Sequence, residues 1–142
     1  NIKIDVWSAA VIIIELIIGR HLFPGKNELE MLNLMADLIG PVPKSIVNAC
    51  KKKRNTFFEQ NGSLKRENSF ESKKNKLSIS DLLGQTAHNS PQLVDFLQNC
   101  LTWNPNLRMS PLQALEHPWL QQDNNSVNQN ESEGLPCLIK YL

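Results

Sequence analysis

The spacing of apolar positions changes several times along the chain, and each change marks the edge of a predicted element. From Asp5 to Ile18 nearly every face is apolar: Val11, Ile12, Ile13, Ile14, Leu16, Ile17 and Ile18 stand together, interrupted by Glu15. A helix wet on one side does not need so many, so the run predicts a helix buried all round, with Ile13 and Ile17 in the interior. Isoleucine also favours strands, and short apolar runs are ambiguous. Length and punctuation favour a helix here, with Asp5 placed to cap its start and Gly19 to close its end in a left-handed conformation. Phe23-Pro24-Gly25 is a turn. Leu29, Leu32, Leu34, Met35, Leu38 and Ile39 then return at the spacing of a one-faced helix, closed by Gly40-Pro41.

A shorter helix is predicted over 44–52. Residues 55–80 turn polar and basic with no sustained period, a long and partly mobile insert with a turn at Asn61-Gly62. Periodicity resumes at Ser90-Pro91, a Ser cap with Pro at the first helical position. Leu93, Val94, Phe96, Leu97, Cys100 and Leu101 form its stripe, and Asn104-Pro105 ends it. Ser110-Pro111 opens another helix carrying Leu112, Ala114 and Leu115, which stops near His117-Pro118. Asn, Gln, Ser and Glu dominate from Gln121 to Glu133, so 121–142 reads as a polar, disordered tail, although Leu135 to Leu142 is apolar again. The pattern predicts an all-α fold in which the segments 28–39 and 91–101 pack around Asp5–Ile18.

Composition narrows the function classes. A chain of 142 residues with 41% hydrophobic content supplies one domain with a modest core. A net charge of +1 gives no global attraction to nucleic acid or membrane. The charge is uneven: nine basic residues face three glutamates between Lys51 and Lys76, and the remainder is acidic. Cys50, Cys100 and Cys137 stand in no metal or disulfide spacing, which suggests a reducing, intracellular setting. The run Val11–Ile18 falls short of the roughly 20 apolar residues of a membrane span, and no signal peptide is recognisable. An opening at Asn1 rather than Met suggests a fragment or processed product. Lys51-Lys52-Lys53-Arg54 reads either as a nuclear-import signal or as a solvated loop. Phe57, Phe58 and Phe70 are too few to stack bases, so nucleic acid is not an expected partner.

Two stretches about ninety residues apart carry signatures. Asp5-Val6-Trp7-Ser8, running through the isoleucines to Gly19 and Leu22-Phe23-Pro24-Gly25, resembles the D-x-W-S central helix of the protein kinase large lobe. Its LFPG continuation is similar to the CMGC group of cyclin-dependent, mitogen-activated and DYRK kinases. Cys100 to Ser110, with Arg108 in an x-P-x-x-R pattern, followed by Ala114-Leu115-Glu116-His117-Pro118-Trp119, resembles the closing kinase segment. Leu38-Ile39-Gly40-Pro41-Val42-Pro43-Lys44, Thr56-Phe57-Phe58 and Asn61-Gly62 are most similar to the dual-specificity tyrosine-regulated (DYRK) kinases. The resemblance covers residues 1–120 as a partial kinase domain, with the basic insert at about 41–85 and no small lobe.

The resemblance implies structural anchors rather than chemistry. The residue matching Asp5 holds the catalytic loop through backbone amides, and Trp7 packs beside it. The residue matching Arg108 forms a buried ion pair with a glutamate ending the activation segment. Both partners are expected upstream of Asn1, which would leave Asp5 and Arg108 as orphans. The plainer alternatives are an N-cap for Asp5 and a surface arginine for Arg108, for which the surrounding motif favours the buried role. Glu15 matches a glutamate that meets basic substrate side chains in some kinases, or is a satisfied structural carboxylate. Ala10 stands where the family usually has Gly, a methyl group added at a tight position. Ser63-Leu64 departs from the family's aromatic and proline.

Missing from the sequence are G-x-G-x-x-G, H-R-D and D-F-G, so no catalytic, cofactor-binding or metal-binding residue is assigned. His117 reads as packing. ATP, magnesium and protein substrates are implied for a full-length kinase alone, with the small lobe and activation segment as its intramolecular partners. Two readings compete: a fragment of an active serine/threonine or dual-specificity kinase of the cytoplasm or nucleus, and a non-catalytic interaction module derived from one. An upstream coding segment ending in Pro-Glu would favour the first, and a start codon just before Asn1 the second.

Overall fold

The computed structural model describes residues 2–66 and 77–121. The expectations for the tail at 122–142, and for the insert at 67–76, lie outside the described residues. Among those described, all regular structure is helical apart from one isolated antiparallel bridge between Phe58 and Leu64.

Helix α1 spans Lys3–Ile18 and buries Val6, Ala10 and Ile14, which recur every four residues and so form one stripe. Gly19 ends it at φ 67°, donating its N–H to Glu15 O at 2.8 Å, the left-handed closure the sequence predicts. Its start differs from expectation. The N-cap is Ile2, with no side-chain cap, and Asp5 lies exposed inside the first turn. The helix begins earlier because Lys3 is tied to the 106–108 backbone, as described below.

The prediction of a helix buried all round also fails. Ile4 is 60% exposed, Ile12 56%, Leu16 61% and Ile17 36%. The stripe that is covered meets α5 (Ile79–Leu83), α7 (Pro91–Cys100) and α8 (Pro111–Leu115), which all approach from one side. Ala10 is fully buried there, so this core encloses the methyl group found in place of glycine.

The main core joins Val6, Ala10 and Ile14 to Leu22, Ile79, Leu83, Leu93, Phe96, Leu97, Cys100, Leu101 and Met109. Helix α2 (Glu28–Ile39) does not wrap α1 as expected. Only Leu38 and Ile39 at its end reach this core, while Leu29 and Leu32 pack on a second one. That second core is Val47 of α3 (Lys44–Ala49), Phe57 of α4 (Arg54–Phe57) and Phe58. The insert thus has an interior of its own. Asn33 on α2 is 1% exposed and donates its amide to Leu29 O and Lys65 O, joining α2 to the strand-like edge of the insert.

Besides α4 and the single turn at Pro118–Gln121, two short helices were not predicted, α5 and α6 (Gln85–Asn89). Their signal was present as Ser78-Ile79-Ser80-Asp81, a capping box in which Ser78 accepts from Asp81 N and Asp81 accepts from Ser78 N. Five residues are too few for a period to show. Ser110 caps α8 through a similar box with Gln113, as its Ser-Pro start predicts. Ser90 precedes Pro91 of α7 but makes no side-chain cap. The last helix among the described residues, α9 (Pro118–Gln121), follows directly.

The described residues leave several large apolar side chains of α1 exposed. An uncovered 400 Å² would forfeit about 10 kcal/mol at about 25 cal/mol per Å², comparable with the stability of a whole domain. The isolated 142-residue chain is therefore expected to unfold broadly on heating and to bind apolar dyes. Leu16→Gln should improve its solubility at little cost in stability. A sharp cooperative calorimetric transition above about 60 °C would contradict this.

Candidate functional site

The residues singled out in the sequence are distributed over two distances along α1. Trp7 and Arg108 come together near its start, in a junction with the loop that follows α7. Asp5 projects to solvent in the first turn, and Glu15 stands at the other end.

At the junction, Arg108 is 8% exposed. Its Nε and Nη2 donate to Thr102 O at 3.1 and 3.0 Å, and its Nη1 donates to Lys3 O at 2.8 Å. The guanidinium carbon lies 4.8 Å from the Trp7 ring centroid, close enough for a cation–π contact. The connection is reciprocal, because Lys3 Nζ donates to Arg108 O at 2.9 Å and Asn106 O at 3.3 Å. Burial draws the Arg108 guanidinium below its ordinary value, but arginine stays charged in proteins. Backbone carbonyls, with no carboxylate among the described residues, offset that buried charge. Arg108 is thus not left without partners, contrary to the expectation for a chain lacking its glutamate. A guanidinium carries five N–H groups, and these bonds leave one on each terminal nitrogen.

The same demand explains why α7 stops at Cys100 rather than at Asn104-Pro105. Thr102 O has to face the guanidinium, and the chain then turns so that Leu107 and Arg108 both donate their N–H to Asn104 O. The Trp103 ring lies tilted against Trp7, centroids 6.0 Å apart, and donates Nε1–H to Gly40 O at 2.9 Å. This loop therefore connects the start of α1, the end of α7 and the end of α2.

Glu15 has a structural partner. One carboxylate oxygen accepts from Leu22 N at 2.8 Å and lies 3.6 Å from His21 Nδ1, fastening the turn after α1. Asp5 makes no side-chain hydrogen bond among the described residues. His117, read as packing, is 9% exposed and also polar in its contacts. Its Nδ1 accepts from Trp119 N at 3.2 Å, so the proton is on Nε2, which meets Asp95 Oδ2 at 3.0 Å. Phe96 contacts both rings, His117 edge-on at 5.2 Å and Trp119 at 4.7 Å.

Of the basic run, Lys53 pairs with Glu28 at 2.8 Å and lies over Phe57, while Lys51 and Lys52 are exposed. A cavity of about 400 Å³ opens between Leu38, Ile39, Ile79, Leu101, Trp103 and Leu107. Among the described residues no three His, Cys, Asp or Glu side chains group to hold a metal ion. No described helix is long and apolar enough to cross a membrane.

Cys100 is fully buried, and burial pushes its thiol up to about 11 from the ordinary 9.0. At pH 8, iodoacetamide should label half-buried Cys50 of the folded chain well before Cys100. In the unfolded chain the Cys100 thiol ionises first, so its contribution to stability should fade as pH rises from 9 towards 11. Arg108→Ala strands Lys3 O and Thr102 O and should cost about 2–3 kcal/mol in urea unfolding. Arg108→Lys should recover only part, because one ammonium does not reproduce the planar fork.

The family described as "Protein kinase domain" matches residues 1–120. Dual specificity tyrosine-phosphorylation-regulated kinase 4 of Homo sapiens is 37% identical over 125 residues, covering 88% of this chain and 24% of the relative. The DYRK-family kinase pom1 of Schizosaccharomyces pombe is 36% identical over 120 residues, covering 82% and 11%. Dual specificity tyrosine-phosphorylation-regulated kinase 2 of Drosophila melanogaster is 32% identical over 123 residues, covering 87% and 17%. The chain spans a quarter or less of the length of these relatives.

Proposed function

We propose that this chain, which belongs to the protein kinase domain family and is DYRK-like within it, is the helical support of a serine/threonine or dual-specificity kinase. In that reading the whole protein transfers the γ-phosphate of ATP, with magnesium, to hydroxyls of protein substrates. This portion holds the catalytic parts in place. Neither nucleotide nor magnesium fits the residues present. The sequence carries no glycine-rich phosphate loop, and the described carboxylates do not cluster.

One observation carries the proposal. Asp5, Ile12 and Leu16 are at i, i+7 and i+11, one stripe of α1, and all three are exposed. A bare apolar stripe headed by a carboxylate is suited to receive a loop with free backbone amides and an apolar body behind it. The catalytic loop is the segment the family resemblance places there. The two N–H groups left on Arg108 are likewise suited to a carboxylate, the role the resemblance gives to the end of the activation segment. The same stripe weighs against a freestanding interaction module, which would keep it in water. Glu15 is already bonded to Leu22 N, which favours its structural role over substrate contact.

The 142-residue chain alone should transfer no phosphate from ATP to a basic protein substrate, and the chain joined to its upstream coding segment should. In that longer protein, Asp5→Asn should lower kcat by about tenfold or more, roughly 1.4 kcal/mol of barrier, with the fold retained. Measurable transfer by the pure chain would overturn the reading.

A further inference from the structure

The hairpin that closes the second core has a chemical property unrelated to phosphate transfer. Phe58 and Leu64 bridge across it, Glu59 N donates to Ser63 O at 2.8 Å, and Gly62 N donates to Glu59 O at 2.9 Å. Gly62 takes φ 85°, a conformation that glycine adopts without cost. Asn61, exposed at the tip, turns its side chain back over the loop. Its Oδ1 accepts from Ser63 N at 2.9 Å and from Ser63 Oγ at 2.7 Å. This is an Asx-turn, in which the side-chain amide and the following peptide nitrogen belong to one hydrogen-bonded ring.

We propose that Asn61 is a site of spontaneous covalent modification, at which the Gly62 nitrogen attacks the Asn61 amide carbon. The Gly62 N–Cγ bond forms, the Cγ–Nδ2 bond breaks, and Nδ2 leaves as ammonia, taking up a proton. The Gly62 N–H proton passes to solvent, and the product is a five-membered succinimide. Water then opens the ring at Cγ, giving aspartate, or at the backbone carbonyl carbon, giving isoaspartate. Water is the only co-reactant, and no oxidant or reductant is needed.

Three features of the turn favour the attack. Residue 62 has no side chain to obstruct the approach to its nitrogen. The Ser63 N–H and hydroxyl already point at Oδ1, where negative charge develops as the nitrogen adds, so they act as a small oxyanion site. The tip is exposed, so water reaches the imide. One feature opposes it, because the Gly62 N–H must leave Glu59 O. That single bond is in an exposed turn where water replaces it, whereas both Ser63 donors act on the charge itself. No other described asparagine precedes a glycine.

The product would alter the structure. Isoaspartate adds a methylene to the backbone between Phe58 and Leu64, and either product adds a negative charge. Gly62 lies close to Val47, where even a Cβ on Gly62 would come 3.8 Å from Val47 Cγ1. The second core therefore lies directly beneath the modified bond.

The test is incubation of the intact chain at mildly alkaline pH, with peptide mapping by mass spectrometry and an isoaspartate-specific assay. Asn61 should be converted at least about tenfold faster than any other described asparagine, a barrier difference of about 1.4 kcal/mol. Ser63→Ala should slow conversion several-fold in native buffer but not in concentrated urea, and Asn61→Gln should abolish it. Conversion at another described asparagine first, or equal native rates for the wild type and Ser63→Ala, would overturn the proposal.

Discussion

A buried positive charge near the start of α1 organises the molecule. Arg108 comes from the loop after α7, yet its hydrogen bonds end on Lys3 and Thr102, and its flat face rests on Trp7. A guanidinium removed from water demands acceptors in its own plane, and each acceptor it takes fixes a piece of chain. Thr102 O can serve only if α7 ends early. Lys3 O can serve only if α1 extends upstream of Asp5. The lysine then returns the interaction by donating to Arg108 O, so that each residue's side chain binds the other's backbone. With that frame set, Trp103 reaches Gly40 and brings in the end of α2.

Much of this was legible in the residues. The long helices follow from periodicity and from Gly19, Gly40 and Pro91 at their ends, and Ser110 caps where Ser-Pro predicts. The anchors Trp7 and Arg108 were singled out by motif, and the structure brings them into contact. What sequence reasoning missed has physical causes. An apolar run says that a face wants cover, not that the same chain supplies it, so Ile12 and Leu16 were placed in an interior that the described residues do not build. Arg108 was expected to lack partners because only ionic ones were considered. Backbone carbonyls carry no sequence signal, and they satisfied it. The α5 helix is too short for a period, although its capping box could have been found.

The second core changes the meaning of the basic insert. Phe57 and Phe58 are interior, Lys53 is drawn onto Glu28 and the Phe57 ring, and Arg66 pairs with Asp37 at 2.8 Å. Part of the positive charge that stood out in the sequence is thus used internally, against acidic residues of α2. Of the run, Lys51 and Lys52 are exposed with no such pairing among the described residues. The asymmetry of charge between the insert and the rest serves, at these contacts, to hold the insert against α2.

The exchange between Lys3 and Arg108 also imposes an order on biosynthesis. The two residues are 105 positions apart, so the isoleucine-rich helix emerges long before its closing loop exists. At about 5–20 residues per second, a ribosome leaves that interval open for roughly 5–20 s. During it the Val6, Ala10 and Ile14 face has no α7 to meet. Chaperone occupancy of nascent α1, rather than intrinsic speed of collapse, would then govern how much of the translated polypeptide escapes aggregation.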